Sequence, residues 1–401
     1  MTTFVLYDDA TARGFEPFAL TRPAGELRAG GELTRRRWAR VLGATASGFV
    51  AAPHLASFEE FDAPAAQRDT IAAGTWLVNT RALPALRTAI PADASRIVIG
   101  GEVAAIRLGS PLEPSALAGG SATFGALESQ VAVGISVDAV GWWLGAVWDL
   151  IGHVLEMLAS DAEALAPADA TRPPHLTVVG DGAVFVDPSA HIEPLVVADT
   201  TAGPVLIRRG ATVQAFSRLV GPCIVGEDAV VSGGRVAACS IGERVKVNGE
   251  ISTSILIGHC NKGHDGFVGH SVIGRWANLG ADTVTSNLKN SYGSVALWTP
   301  TGIRETGLQF LGSLIGDHAK TGIGTRLTTG CVVGAGANVF GSTMPPKVVA
   351  PFAWGESPAW ETFALDKFLV VAERVMARRG VMLSDGMRAQ LTAAHAARWA
   401  H

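Results

Sequence analysis

The 401-residue sequence predicts an α/β domain, then a left-handed parallel β-helix of hexapeptide repeats, then a helical tail. The main observation is a six-residue phase. Single apolar or small residues recur at Ile207, Val213, Leu219, Val225 and Val231, and again at Ile315, Thr321, Leu327, Val333 and Val339, several of them followed by Gly. Such a phase fits neither the 3.6-residue period of a helix nor the alternation of an ordinary strand. It fits a coil of three short strands joined by tight turns, each strand turning one side chain inward. Stacked coils then bury a continuous apolar column. A β-sandwich with glycine-rich turns would not hold this phase over more than about 100 residues. The second observation is the alternation of short apolar runs with helical segments in the first part of the chain, the pattern of an α/β domain.

Taken in order, the first region (residues 1–174) opens on a strand at Phe4–Tyr7 and continues with runs at Trp76–Val78 and Ile97–Ile99 and a helical segment at Val147–Leu158. A linker rich in Ala, Asp and Pro, from Ala164 to Pro174, closes it. The β-helix is expected over 175–345. Its phase breaks between Asp282 and Gln309, which reads as a loop thrown out from a rigid scaffold, a common carrier of function. Over 346–401, Leu365, Phe368, Leu369, Ala372, Val375 and Met376 form a helical apolar stripe, and Ser384 is placed to cap a second helix.

Composition narrows the function classes. A hydrophobic content of 48% with 17% charged residues describes a soluble globular chain of two or three domains. A net charge of −4 supplies no basic field for nucleic acid. Cys223, Cys239, Cys260 and Cys331 are scattered without a CxxC pair, as buried thiols of a reduced compartment would be. The N-terminus runs straight into a strand without a basic, then apolar, leader, and the apolar stretch Ala139–Ala159 is interrupted by Asp149, His153 and Glu156. Both point to a cytoplasmic protein with no membrane span. The six lysines stand against 26 arginines, and all six follow residue 245. In so arginine-biased a chain, a retained lysine marks a place for a compact ammonium.

The densest polar cluster runs from Asn261 through Lys262 and His264 to His270, followed by Asn278–Thr283 and Ser286–Asn290. Cations and amides gathered near a candidate base suit an anionic, hydroxylated substrate. At these residues the chain resembles the bifunctional N-acetylglucosamine-1-phosphate uridylyltransferase / glucosamine-1-phosphate N-acetyltransferase family, in a form with a shortened N-terminal domain. Lys262-Gly263-His264-Asp265-Gly266-Phe267 is comparable to the family's K-x-x-H-x-x-Y. Asn278-Leu279-Gly280-Ala281-Asp282-Thr283-Val284-Thr285-Ser286-Asn287 is similar to its N-[IL]-G-A-G-T-x-T-x-N. The departures are Lys262 one place closer to the His, Phe267 for Tyr, and Asp282 for Gly.

The resemblance implies a homotrimer that transfers an acyl group from acetyl-CoA to an amino-sugar phosphate on the way to a nucleotide sugar. It implies His264 as general base, oriented by Glu250, with Lys262, Arg235, Asn278, Asn287 and Lys289 on the substrate and Ser313 and Lys320 facing the acyl-CoA. For a nucleotidyltransferase-like N-terminal domain it implies a phosphate loop comparable to Thr21–Glu32, with Arg22, Arg28 and Gly30 holding a nucleoside triphosphate. Mg²⁺ would be needed if that domain is active, Asp8 and Asp9 being the nearest carboxylates. The strand ending at Asn79 lacks the family's metal-binding Asp. No protein metal site is expected in the β-helix. Two other readings stay open: a zinc protein like the trimeric γ-type carbonic anhydrases, built on His259 and His264, and a non-catalytic sugar-nucleotide-binding regulator. The first needs a third histidine from an earlier coil, and none lies between Ile192 and Gly258.

Overall fold

A computed structural model describes residues 2–399 and divides them into two compact units. One contains the chain through Leu27, Glu32–Asp149 and Ser384–Ala397. The other contains Arg28–Gly31, Leu150–Leu383 and the chain from Arg398.

The first unit is built on a six-stranded sheet. Its strands are β1 (Thr3–Tyr7), β2 (Thr45–Val50), β3 (Trp76–Asn79), β4 (Ala94–Ile99), β5 (Glu102–Arg107) and β6 (Ile135–Ala139), in the order β2-β1-β3-β5-β4-β6. β1 pairs in parallel with β2 and β3, whereas β5 is antiparallel to both its neighbours. The unbroken apolar run of β1 follows from burial on both sides. Phe4 and Leu6 enter one core with Trp38 and Phe49, and Val5 and Tyr7 enter another with Ile71 and Ile106. Helix α1 (Thr34–Leu42) supplies Trp38 and stops at Gly43, whose left-handed φ of 56° lets its N–H reach back to the Ala39 and Arg40 carbonyls.

The second unit is a three-sided parallel β-helix. Its three faces are sheets of nine, ten and six strands. Face I runs from Val184–Val186 to Val348–Val349, face II from His191–Ile192 to Ala353–Gly355 with a last antiparallel strand at Trp360–Thr362, and face III from Thr177–Val179 to Phe267–Gly269. The six-residue phase becomes stacking register. On face I, Ile207, Val225, Ile241, Leu256, Ile273, Ile315, Val333 and Val349 lie one above another inside. The glycine after several of these residues marks a close approach between coils. A Cβ on Gly242 would stand 2.2 Å from the Ile257 carbonyl oxygen, and one on Gly334 would stand 2.3 Å from the Pro351 nitrogen.

The expected loop is present. Face I passes from Val272–Ile273 directly to Leu314–Ile315. The chain between them carries a hairpin (Ala296–Thr299 with Gly302–Glu305) that packs on the Cys331–Val333 strand.

The units do not follow chain order as the divisions at 174 and 345 would. Helix α2 (Val154–Ala164), N-terminal to 174, buries Val154, Met157 and Leu158 against the strands Val205–Ile207 and Cys223–Val225. The reason is that face I is apolar on both sides. Leu206 and Ile224 alternate with the interior residues, point outward, and need a cover. The tail also divides: α3 (Leu365–Ala377) belongs with the β-helix and α4 (Asp385–Ala397) with the first unit. The Ser384 hydroxyl accepts the Met387 N–H at 3.2 Å, the cap expected for α4, and Gln390 donates to the Thr21 carbonyl at 2.6 Å. No helix among the described residues is long and apolar enough to cross a membrane.

Candidate functional site

In open α/β sheets, ligands gather outside the carboxyl ends of parallel strands. In the first unit, β1 and β3 end side by side on Asp8-Asp9 and Asn79-Thr80-Arg81. Asp8 is buried. It accepts the Thr80 hydroxyl at 2.7 Å and the Ala24 N–H at 2.9 Å, and burial still pushes its carboxyl up to about 6. Asp9 is held below the usual carboxylate range. Burial would raise it, but Arg81 at 2.8 Å, Asn79 at 3.0 Å and the Ala12 N–H at 3.0 Å together outweigh that. These oxygens are engaged by protein donors, and Arg81 already supplies the cation. They do not fit a Mg²⁺ site, which takes carboxylate oxygens directly or through water.

Arg22, expected on a triphosphate, is instead buried in a two-pronged pair with Glu60 at 2.8 and 3.3 Å. Arg28 is held likewise. In the second unit Arg28 is fully buried, with Nη2 2.6 Å from Glu243, Nη1 2.7 Å from the Gly31 carbonyl and Nε 3.1 Å from the Ile257 carbonyl. The Gly30 carbonyl accepts the Ser240 hydroxyl. A guanidinium buried against a carboxylate is costly to withdraw, so Arg22 and Arg28 are held in the framework.

On the β-helix the predicted residues fall into separate places. His264 is exposed on the turn from face II to face III, and its imidazole has no hydrogen bond among the described residues. Arg235 and Glu250 are register neighbours on the outer side of face III, paired at 3.5 Å and both about half exposed. Glu250 therefore turns toward Arg235 and makes no hydrogen bond to His264. Its other register neighbour is Phe267.

Lys262 departs from expectation. It takes the inward place in the column of Val213, Val231 and Val247, and its ammonium reaches out of the coil to the His264 and Asp265 carbonyls, the latter at 2.8 Å. Burial lowers its pKa, opposed by Asp265 and Asp282. It closes the turn that carries His264 and is not offered to a substrate. Ser313 is corrected in the same way: it pairs in register with the core residue Cys331 and is wholly buried, so it does not face a ligand.

Asn287 and Lys289 occupy the base of the loop. The Asn287 amide lies 2.9 Å from His270 Nδ1, and Lys289 donates to the Ser294 carbonyl. His270 stacks on Phe310 with ring centroids 5.2 Å apart, and its burial lowers its pKa. Asn278 and Lys320 are neighbours on the outer side of face II, where both line a cavity of about 320 Å³. His259, considered as a zinc ligand, has Nδ1 3.0 Å from Arg275 and packs on Trp276. Among the described residues, no group of three or more His, Cys, Asp or Glu side chains is placed to hold a metal.

Residues 4–168 match the family model of sugar nucleotidyl transferases. The chain also resembles the bifunctional protein GlmU of Methanococcus vannielii, at 36% identity over 86 residues, which is 21% of this chain and 20% of that protein. It resembles a bifunctional sugar-1-phosphate nucleotidylyltransferase/acetyltransferase of Sulfurisphaera tokodaii at 31% identity over 91 residues, 23% of each. The matches thus span about a fifth of the length of these curated relatives. A solved structure, a point mutant of AntD, an N-acyltransferase from Bacillus cereus in complex with dTDP and coenzyme A, aligns with 51% of this chain and 92% of its own. The identity is 14% and the TM-score 0.23, a level that carries no functional weight.

The sequence missed the partners of Asn278 and Lys320. The same cavity is lined by Lys246, Arg378 and Arg379. The one available signal was the late clustering of lysines, which includes Lys246 and Lys320.

Proposed function

We propose that the β-helix transfers an acyl group, acetyl by preference, from acyl-CoA to the amine of an amino-sugar phosphate, with His264 as general base, in a homotrimer. The observation that supports this most is the exposed imidazole, unpartnered among the described residues, on a turn fixed by stacked coils, with Arg235 and Glu250 on the adjoining face. A general base needs access to the proton it removes and a rigid frame behind it. Lys262 provides part of that frame by tying down the carbonyls of His264 and Asp265. In the reaction the amine nitrogen bonds to the thioester carbonyl carbon, the C–S bond breaks, and the amine proton passes to the imidazole and then to the departing thiolate. Arg235 would meet the sugar phosphate once it exchanges its loose pairing with Glu250, freeing Glu250 to orient His264.

The test is His264→Ala with acetyl-CoA and a panel of amino-sugar phosphates, following free thiol. Turnover should fall by about 10²-fold or more with the oligomer and acyl-CoA binding unchanged. Wild-type turnover by the variant on a good acceptor would remove His264 from catalysis. A second reading, nucleotidyl transfer by the first unit, is favoured by the family match over 4–168. Since Arg22 and Arg28 are ion-paired, other residues would have to hold the triphosphate. Pyrophosphate release from nucleoside triphosphate and a sugar 1-phosphate tests it, and no release with Mg²⁺ present would strike it out.

A further inference from the structure

The outer side of face II carries a ladder that the proposed reaction does not use. Lys246, Asn261, Asn278 and Lys320 are register partners in four successive coils. At roughly 4.8 Å per strand, the two lysines stand about 14 Å apart with two amides between them. The Asn261 amide donates to the Asn278 amide oxygen at 2.8 Å, which leaves the Asn278 NH₂ group available as a donor. Arg378 and Arg379, just past the end of α3, close over this ladder and enclose the cavity of about 320 Å³. That volume lies at the small end of ligand sites. Arg235, Glu250 and His264 do not line it.

The charge of this cavity is lopsided. Four cations line it and no carboxylate does. None of the four is in an ion pair among the described residues. Among the described residues the Lys320 ammonium donates only to the His318 carbonyl, at 3.1 Å, and burial lowers its pKa to about 8. Cations gathered with no carboxylate beside them among the described residues leave the cavity ready for an anion. One wall is aromatic: His259 and Trp276, in successive coils, pack with their rings tilted and the centroids 4.6 Å apart.

We propose that this cavity binds the diphosphate group of an organic ligand, with Lys246, Lys320, Arg378 and Arg379 around the phosphoryl oxygens and Asn278 donating to an adjoining hydroxyl or phosphoryl oxygen. Four cations suit a charge of about −2 to −4, which a diphosphate carries and a single carboxylate does not. Two kinds of molecule offer that chemistry, coenzyme A and a nucleoside-diphosphate sugar. The site is separate from the His264 turn, so it does not rest on the acyl-transfer reading.

The test measures binding and needs no turnover. Pyrophosphate is titrated calorimetrically into the full-length protein, then into Lys246→Gln and Arg378→Gln. Both side chains are exposed at the cavity rim and make no hydrogen bond among the described residues, so neither change threatens the fold. Lys367→Gln, on an exposed lysine of α3 that does not line the cavity, serves as a control of equal charge. Pyrophosphate should bind, more weakly as salt rises, and each rim variant should weaken it about ten-fold while the control leaves it unchanged. Coenzyme A and a nucleoside-diphosphate sugar are then used as competitors, and the one that displaces pyrophosphate identifies the source. No binding at millimolar pyrophosphate, an equal loss in the control, or binding that neither organic diphosphate displaces would each overturn the proposal.

Discussion

Glu243 is the point where the buried charge of the β-helix is decided. Its carboxylate receives Arg28 Nη2 at 2.6 Å and Arg275 Nη2 at 2.5 Å, and both arginines are 1% exposed. Burial alone would raise the carboxyl, but the two guanidiniums outweigh it and hold it well below the carboxylate range. Glu243→Gln keeps the shape and removes the charge. The amide offers one oxygen for two guanidiniums, and its NH₂ group faces the other donor. Leaving buried cations unpaired costs about 3–5 kcal/mol. For a unit of this size that is a drop of roughly 6–20 °C in the melting of the β-helix. Scanning calorimetry would show it as a shift of one transition, since a protein of two units need not melt in a single step.

The pH dependence has a definite sign. Because the folded carboxyl is depressed, its contribution is complete above the unfolded value of 4.5 and fades as pH falls below it. The gap between wild type and Glu243→Gln should therefore be full at pH 7 and smaller at pH 3.5. Replacing Arg28, Glu243 and Arg275 together by Met should recover much of the loss, because no charge then remains buried. A Glu243→Gln protein that melts within 1 °C of wild type at pH 7 would refute the argument. A triple variant no better than the single one would assign the effect to packing.

Three further outcomes follow from the structure. Asp8 is raised from 3.8 to about 6, so its ionisation opposes folding progressively from about pH 4 upward; Asp8→Asn, which can still accept from Ala24 and donate to Thr80, should gain stability over wild type at pH 8 relative to pH 4, by at most about 3 kcal/mol, as denaturant titrations at the two pH values would show. Cys223, Cys260 and Cys331 are wholly buried and pushed up to about 12, and Cys239 is raised further, so a thiol reagent at pH 8 should label none of them in the native protein and all four in denaturant. Gly242→Ala should destabilise the β-helix by several kcal/mol or prevent its folding, because the added methyl meets backbone of the next coil, whereas Gly293→Ala, with only the Ser291 hydroxyl near, should be neutral in the same melt.

The sequence made the coil legible because its inward positions carry one kind of information, apolar or not, at a fixed spacing. It became illegible where a polar residue takes an inward place. Lys262 reads as a ligand-binding cation because its alkyl chain, which fills the column beside Val247, looks the same on paper as one in solvent. Ser313 misled for the same reason. Arg22 and Arg28 misled because the carboxylates that hold them, Glu60 and Glu243, lie 38 and 215 residues away, and no local pattern announces such a pair. The cationic cavity was hidden by topology. Lys246, Asn261, Asn278 and Lys320 become neighbours only once the coil is wound, and the arginines that complete it come from beyond the repeats. The His264 turn was legible as a cluster of functional residue types, but Glu250's engagement with Arg235 was not.

The loop between Val284–Thr285 and Ser313–Ile315 has a consequence for how the rod can change. Most coils return to the same face after 15–18 residues, whereas Asn278 meets Lys320 after 42. Lengthening a closure from 17 to 42 residues costs only about 0.8 kcal/mol of chain entropy. The stack above and below is in register across that junction, as Ile273 over Ile315 shows. Length at this one seam is therefore nearly free, while a single methyl at a glycine such as Gly242 is not. Lengthening, trimming or replacing the excursion leaves the coil register intact and changes only its own contacts, such as the hairpin on the Cys331–Val333 strand and Asn287 on His270, so new recognition surface is acquired sideways, at a rung of the ladder, and not at its ends.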